Sequence, residues 1–225
     1  MRAGGISSLL LPFRAVICDS HSLLPSVDIL EIWVMGGASK LLMSYAPGFV
    51  TSEYTGDSID MASLPLNFRK IVVSALSSNF REATKLVNVS MLQPREGELL
   101  IKNRYVGINA SDVNFSAGRY GPVNQLPIDI GFEGVGEVVA RGGGCEHFQI
   151  GSAVAFMSGH AFSEYMLLPV KYAILLPEVQ PEYVSLLASG LTAAISLEKI
   201  GEIKAGENIL VTAAAGGTGQ FAGSM

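Results

Sequence analysis

Cysteine, charge and long apolar runs are all scarce in this chain of 225 residues. Its two cysteines, Cys18 and Cys145, are too few for a structural zinc site of four thiolates. They could form one disulfide, but so little cysteine is more typical of a reducing compartment. No run approaches the roughly 18 uninterrupted apolar residues of a membrane span, so no spanning helix is predicted.

Charged residues make up only 16% of the chain, and the net charge is −5. The negative balance argues against a nucleic-acid partner. Hydrophobic residues make up 49%, which predicts buried strands together with apolar surface that further sequence would cover. The three histidines, His21, His147 and His160, show no ligand spacing with either cysteine, so no metal site is predicted.

The first 65 residues show no sustained period. Residues 1–18 carry two arginines, no acid and a short apolar run, which faintly resembles a targeting segment. The alternative is an unstructured leader. Residues 44–65 contain serine, glycine and proline and indicate a linker. We expect 1–65 to be a disordered leader and linker.

A series of short strands is predicted from Phe68 onward. The predicted strands are 70–76, its hairpin partner 83–89, 98–109, 131–140, 152–157, 161–168 and 172–176. In the third, alternation places Leu99, Ile101 and Tyr105 on one face. Residues 111–120 are predicted to be a loop with one helical turn. About seven short strands with turn signals predict a compact β-barrel, which we place at 66–185.

Helical spacing replaces the strand pattern at 181–201. Its apolar stripe consists of Val184, Leu187, Leu191, Ile195 and Leu197. Gly201 is a suitable end for the helix.

The segment 208–222 has the pattern of a strand, a turn of small residues and a helix. Ala214, Gly216 and Gly219 occupy the fingerprint positions of a dinucleotide-binding fold. Gly216, Gly217 and Gly219 would let main-chain amides approach a pyrophosphate, and the hydroxyl of Thr218 could donate to a phosphate. The alternative is a simple tight turn. We expect 186–225 to be the start of a Rossmann domain, truncated after its first strand.

Several segments together resemble the medium-chain dehydrogenase/reductase superfamily, on its quinone-reductase side. They are 106–114, 116–120, 131–139, 189–193 and 213–222, and the resemblance covers about 66–222. It implies a mixed α/β fold in which a GroES-like β-barrel domain precedes a Rossmann fold, with substrate in the cleft between them. It also implies NADPH-dependent reduction of the carbon–carbon double bond of α,β-unsaturated ketones, 15-oxo-prostaglandins among them.

Other properties follow from the same resemblance. The partner would be a small enone or lipid, and full-length members could form homo-oligomers. The resemblance suggests the peroxisome, although the C-terminal targeting signal is not seen here, and otherwise the cytoplasm. Zinc alcohol dehydrogenases have Gly-His-Glu where this chain has Gly131-Phe132-Glu133, so the resemblance implies zinc-independent chemistry.

Enone reduction requires hydrogen-bond donors to the enolate oxygen as its charge develops. Tyr120 and Asn109 are the candidate catalytic donors, with plain loop architecture as the alternative for both. Thr192 could line the nicotinamide pocket, or it could only cap or pack a helix. Asp112 is expected to fix the 111–120 loop, and Glu133 to be a structural carboxylate.

Two hypotheses therefore stand at this point. The first is a zinc-independent, NADPH-dependent enone reductase. The second is a catalytically inactive, truncated GroES-like domain without a competent cofactor site.

Overall fold

The computed structural model describes residues 64–225 and, for the backbone alone, the strand β1 (Phe13–Val16). The rest of the predicted leader and linker, with Cys18 and His21, lies outside the described residues. The described part falls into two compact units, one of residues 64–188 and one of Ser189–Met225 together with β1.

The first unit contains eight strands and two short α-helices. In chain order they are β2 (Asn67–Val73), α1 (Phe80–Ala83), β3 (Thr84–Ser90), β4 (Glu98–Val106), α2 (Ala110–Ser116), β5 (Ile128–Asp129), β6 (Glu133–Arg141), β7 (Ala153–Met157), β8 (Tyr165–Pro169) and β9 (Ala173–Leu176). A single 3₁₀ turn, Val170–Tyr172, joins the last two strands. Every predicted strand in this part is therefore present, with its bounds shifted by a few residues.

Two antiparallel sheets make up this unit. The smaller has the order β3-β2-β5, and β2 and β3 form the predicted hairpin, in register from Asn67–Ser90 to Val73–Thr84. The larger has the order β8-β4-β6-β7-β9. Its core contains fully buried side chains from β4, β6, β7 and β8: Leu99, Ile101, Val138, Val154, Phe156, Met166 and Leu168.

The predicted alternation along β4 is only partly right. Leu99 and Ile101 are fully buried, but so is Leu100, and Tyr105 is 43% exposed. The pairing of β4 with β6 shifts register between Leu100 and Ile101 and again between Asn103 and Tyr105. Each irregularity of this kind resets which face a side chain points to, so a strict period of two fails here.

The segment after β4 also differs from its prediction. β4 ends at Val106 rather than at residue 109, and residues 110–116 form the two-turn helix α2 rather than a loop with one turn. The helix begins there because Asp112 Oδ2 accepts a hydrogen bond from the main-chain N–H of Asn109 at 2.7 Å, the reciprocal contact of a capping box.

Helical backbone, here α3, runs over Glu182–Ile200 and includes π-type stretches at Leu186–Leu191 and Ile195–Ile200. The predicted stripe is confirmed at four of its five positions, since Val184, Leu187, Leu191 and Leu197 are buried, while Ile195 is half-buried. By length and composition alone α3 could cross a membrane, but the core helices of soluble proteins meet the same criterion.

The second unit has the predicted strand, turn and helix at its end. β10 (Asn208–Val211) precedes α4 (Gly217–Ser224), and β1 pairs with β10 in parallel from Phe13–Asn208 to Val16–Val211. No strand is predicted at β1, which lies within the segment 1–65 that the sequence indicates as a disordered leader and linker. A small apolar cluster holds this unit together: Ala193, Leu197 and Ala222, with Ile203, Val211 and Phe221 beside them.

Candidate functional site

A buried polar cluster lies where β4 has ended and β6 begins. Asn109 Nδ2 donates to Glu133 Oε1 at 2.8 Å, and the main-chain N–H of Ala188 donates to Glu133 Oε2 at 2.6 Å. Asp112 accepts the main-chain N–H of Asn109, as described above. Glu133 is 4% exposed and Asp112 is 1% exposed. Both oxygens of the Glu133 carboxylate are therefore engaged by donors from separate parts of the chain.

Gly107 makes room for the Glu133 carboxylate. A Cβ atom at Gly107 would lie 2.0 Å from Glu133 Oε1 and 2.6 Å from its Cδ. The main-chain N–H of Gly107 donates to the carbonyl oxygen of Glu133 at 3.2 Å. A side chain at residue 107 is thus incompatible with this position of the carboxylate.

Asp112 is the most perturbed acid of this cluster. Burial raises its pKa to about 6, and the nearby charge of Glu133 acts in the same direction, while the hydrogen bond from Asn109 opposes the rise. Its Oδ1 atom is buried and has no hydrogen-bond partner. The charged form of Asp112 is therefore less favourable in the folded chain than it is in water.

An apolar groove of about 740 Å³ borders Asp112 in the same unit. Its apolar lining includes Ile71, Phe80, Val106, Ile108 and Phe162. Charged side chains also border it, namely Arg69, Lys70, Arg104 and Glu164. Ile108 is 85% exposed, so the groove is open to solvent. An apolar ligand of moderate size could be accommodated beside the polar cluster.

Tyr120 lies beyond the other end of α2 from Asn109. It is 57% exposed and lines a separate cavity of about 360 Å³, together with Phe115, Val123 and Ile128. No hydrogen bond joins Tyr120 to Asn109 in the part of the chain described. The two predicted donors therefore sit in different surroundings, Asn109 in a hydrogen-bonded network and Tyr120 at an open cavity.

The turn between β10 and α4 holds the predicted glycine fingerprint. A Cβ atom at Gly219 would lie 2.4 Å from Ala213 O and 2.7 Å from Ala214 Cα, and one at Gly217 would lie 2.5 Å from Ser189 Oγ. The turn is closed by a bond from the N–H of Gly216 to Ala213 O at 2.9 Å. Gly219 is thus required by the close approach of main-chain atoms, whereas a side chain at Gly217 would meet only the side chain of Ser189. α4 begins at Gly217 with its first amides outside the helical ladder.

The other two predicted cofactor-binding residues, Thr218 and Thr192, are half-buried in this same unit. Thr218 is the second residue of α4. Thr192 belongs to α3, whose Ala193 packs in one cluster with Ala222 of α4. Ser189 of α3 is the side chain that a Cβ atom at Gly217 would meet. The motif 189–193 was noticed in the sequence, but nothing in it distinguished Ser189 from Thr192.

Metal-binding geometry is not found in residues 64–225, where no three His, Cys, Asp or Glu side chains form a group that could hold an ion. Phe132, at the position of the zinc enzymes' histidine, packs its ring edge-on against Phe115 with centroids 5.5 Å apart. Cys145 is a free, buried thiol. Phe132 therefore takes part in aromatic packing at the position where the zinc enzymes have a histidine.

Comparison with known proteins agrees with this architecture. Residues 95–178 match the alcohol dehydrogenase GroES-like domain family. Prostaglandin reductase-3 of Mus musculus is 47% identical over 196 residues, which are 86% of this chain and 50% of that protein. Its counterpart from Bos taurus is 50% identical over 182 residues, 80% of this chain and 46% of that protein.

A solved structure extends the comparison to the fold. The quinone oxidoreductase of Escherichia coli, determined in complex with NADPH, superposes with a TM-score of 0.64 at 30% identity, over 68% of this chain and 48% of that one. The chain spans about half the length of the curated relatives it matches. It belongs to the medium-chain dehydrogenase/reductase superfamily, among the quinone-oxidoreductase-like members.

Proposed function

We propose that the chain supplies the substrate domain and the pyrophosphate-binding turn of an NADPH-dependent enone reductase. The reaction is reduction of the carbon–carbon double bond of α,β-unsaturated ketones, of the 15-oxo-prostaglandin type, without zinc. The observation that carries the proposal is the turn between β10 and α4, where a Cβ atom at Gly217 or Gly219 would overlap its neighbours. Such a turn before a helix N-terminus suits a diphosphate.

In this proposal the glycine turn holds the dinucleotide. The main-chain amides at the start of α4 bind the pyrophosphate, Thr218 donates its hydroxyl to a phosphate, and Thr192 lines the nicotinamide pocket. When bound, the nicotinamide supplies the hydride. The similarity to a quinone oxidoreductase solved with NADPH supports this choice of cofactor.

Residues of the first unit act on the ketone. We assign the role of enolate donors to the phenol of Tyr120 and the side-chain amide of Asn109. Asn109 uses one amide hydrogen for Glu133, and its second amide hydrogen is free for an acceptor. The apolar groove beside Asp112 supports an apolar, lipid-like enone as substrate.

The second candidate is a GroES-like domain that is catalytically inactive because its cofactor site is not competent. The exposure of apolar residues on β10 favours it, since Ile209 is 36% exposed and Leu210 57%. A dinucleotide-binding strand is ordinarily buried on both faces of its sheet. Location in the peroxisome or cytoplasm and assembly into a homo-oligomer stay predictions in either case.

Titration of the purified chain with NADPH, followed by nicotinamide fluorescence, separates the two candidates. We expect a saturable enhancement for the wild type and at least a tenfold weaker affinity for Gly219→Ala, because the added methyl meets main-chain atoms. Gly223→Ala, on the same helix with open space around it, is the matched control and should bind like wild type. No saturable signal from a folded wild-type chain would favour the inactive domain.

A further inference from the structure

We infer that Glu133 is a positioning residue that fixes the orientation of the side-chain amide of Asn109, with Nδ2 rather than Oδ1 toward the carboxylate. The inference rests on the proposed function only for the role of Asn109 as an enolate donor. It concerns a carboxylate that touches neither of the candidate cavities and acts through another side chain.

The two oxygens of Glu133 face two donors. Oε1 accepts from Asn109 Nδ2 at 2.8 Å, and Oε2 accepts from the main-chain N–H of Ala188 at 2.6 Å. The N–H of Ala188 can only donate, so the oxygen that faces it has to be an acceptor. A carboxylate satisfies both positions at once, and it obliges Asn109 to present nitrogen rather than oxygen.

This arrangement leaves Asn109 with one free amide hydrogen. The other amide hydrogen is used by Glu133, and Oδ1 faces the main-chain N–H of Asp112 in the capping box. If the amide were turned by half a revolution about its last torsion, Oδ1 would replace Nδ2 at Glu133. The second donor hydrogen would then leave the place from which it could stabilise an enolate.

Replacing Glu133 by glutamine should turn the Asn109 amide over. The N–H of Ala188 still requires an acceptor, so it selects the amide oxygen of the new side chain. The NH₂ group of that side chain then faces Asn109, and Asn109 can accept its hydrogen bond only through Oδ1. The substitution is nearly isosteric, so it changes the direction of a hydrogen bond without leaving a cavity.

Gly107 provides an independent way to disturb the same contact. Because a Cβ atom at residue 107 would lie 2.0 Å from Glu133 Oε1, Gly107→Ala displaces the carboxylate without changing its chemistry. Glu133 is buried and held at both oxygens, so it cannot move aside without breaking one of these bonds. Gly107→Ala should therefore release the Asn109 amide rather than invert it.

The test is an NMR measurement of the side-chain amide of Asn109 in the full chain, with the resonance pair assigned by its loss in Asn109→Ser. In the wild type, one of the two protons should lie clearly downfield because it binds a carboxylate. Glu133→Gln and Gly107→Ala should both abolish that shift. Glu137→Gln is the matched control, since Glu137 lies on the same strand and pairs with Arg104 at 2.9 Å.

A chain with enone reductase activity gives a second readout. Glu133→Gln should lower kcat about tenfold with less than a twofold change in KM, equivalent to about 1.4 kcal/mol of transition-state stabilisation.

The inference is overturned if neither side-chain amide proton of Asn109 is downfield in the wild type. It is also overturned if Glu133→Gln, like the control Glu137→Gln, leaves those two resonances unchanged. If the variants do not fold, a wild-type pair without a downfield proton still overturns the inference. None of these spectra requires NADPH, so failure of the titration would remove the proposed function and leave this contact standing.

Discussion

The two compact units of the chain differ greatly in how much apolar side chain they bury. In the first, the interior of the larger sheet is continuous, and Leu99, Ile101 and Phe156 are completely removed from solvent. In the second, the apolar cluster has three buried residues, two of them alanines, and Leu210 of β10 is 57% exposed. Large apolar side chains contribute most of the free energy of folding, so the first unit should be the stable one.

The two units also contribute different chemical groups to the proposed function. The first unit positions buried polar side chains, and these need a rigid surrounding. The second contributes mainly the backbone of a glycine turn, whose shape depends on local close approach at Gly217 and Gly219. On the proposed function, the candidate substrate residues should therefore be ordered without cofactor, and the glycine turn should gain order if a dinucleotide binds.

The largest expected contrast comes from making one substitution in each unit. Phe156→Ala should lower the free energy of unfolding by about 3–5 kcal/mol, because the ring is fully buried against Gly134. Phe221→Ala should cost only about 1–2 kcal/mol, since Phe221 is half-buried. Urea denaturation followed by circular dichroism measures both.

Equal losses for the two variants would contradict the contrast between the units. If Phe156→Ala does not fold, Phe156→Leu, which loses less volume, serves in its place. Its loss of stability should still exceed that of Phe221→Leu.

A smaller effect is expected in the pH dependence of stability, which should report the burial of Asp112 in the first unit. The pKa of Asp112 is raised from 3.8 to about 6 in the folded chain, so the folded state holds a proton that the unfolded state releases in that window. Stability should therefore fall as the pH rises from 3.8 to 6, by up to about 3 kcal/mol. Asp112→Asn should remove this slope in denaturation curves measured across the window.

Asp129→Asn is the control for that measurement. The hydrogen bond from His160, and then Lys70, hold the pKa of Asp129 at about 2, so its stabilisation is present above pH 3.8 and is lost as the pH falls toward 2. Its replacement should leave the slope between 3.8 and 6 unchanged. A wild-type chain with no slope in that window would show that Asp112 is not desolvated as described.

The smallest expected effect concerns the backbone of the second unit. Ala213 has φ of 51°, a left-handed conformation that is costly for alanine. Ala213→Gly should stabilise this unit by at most about 1 kcal/mol, because relief of strain is partly offset by the entropy of glycine. Ala215→Gly, in the same turn without a positive φ, should be slightly destabilising. Thermal unfolding of the wild type and both variants should give the highest midpoint for Ala213→Gly and the lowest for Ala215→Gly.

Much of the fold could be predicted because its signals are local. The hairpin of β2 and β3, the buried stripe of α3 and the turn after β10 all follow from periodicity and small residues nearby in sequence. The limits of β4 could not be predicted in this way. Its register shifts are set by pairing with β6, more than thirty residues away in the chain, and the alternation of β4 itself shows no sign of them.

Residues of the candidate site could be predicted from the sequence, but the hydrogen bonds between them could not. Asn109 and Glu133 were both singled out, yet their contact joins residues 24 positions apart. The bond from Ala188 to Glu133 spans 55 positions and depends on where a main-chain N–H in α3 lies. Only the folded chain shows that one carboxylate holds both, and that Ser189 meets the glycine turn.

The most direct test of the account follows the main-chain amide resonances of Gly216, Gly217 and Gly219 by NMR as NADPH is added, with inorganic pyrophosphate in a parallel titration. If the turn binds a dinucleotide through its phosphates, the three resonances should shift together and saturate with NADPH, and pyrophosphate should move the same three more weakly. Resonances that stay in place while the rest of the spectrum shows a folded chain would contradict the assignment of this turn to a nicotinamide cofactor.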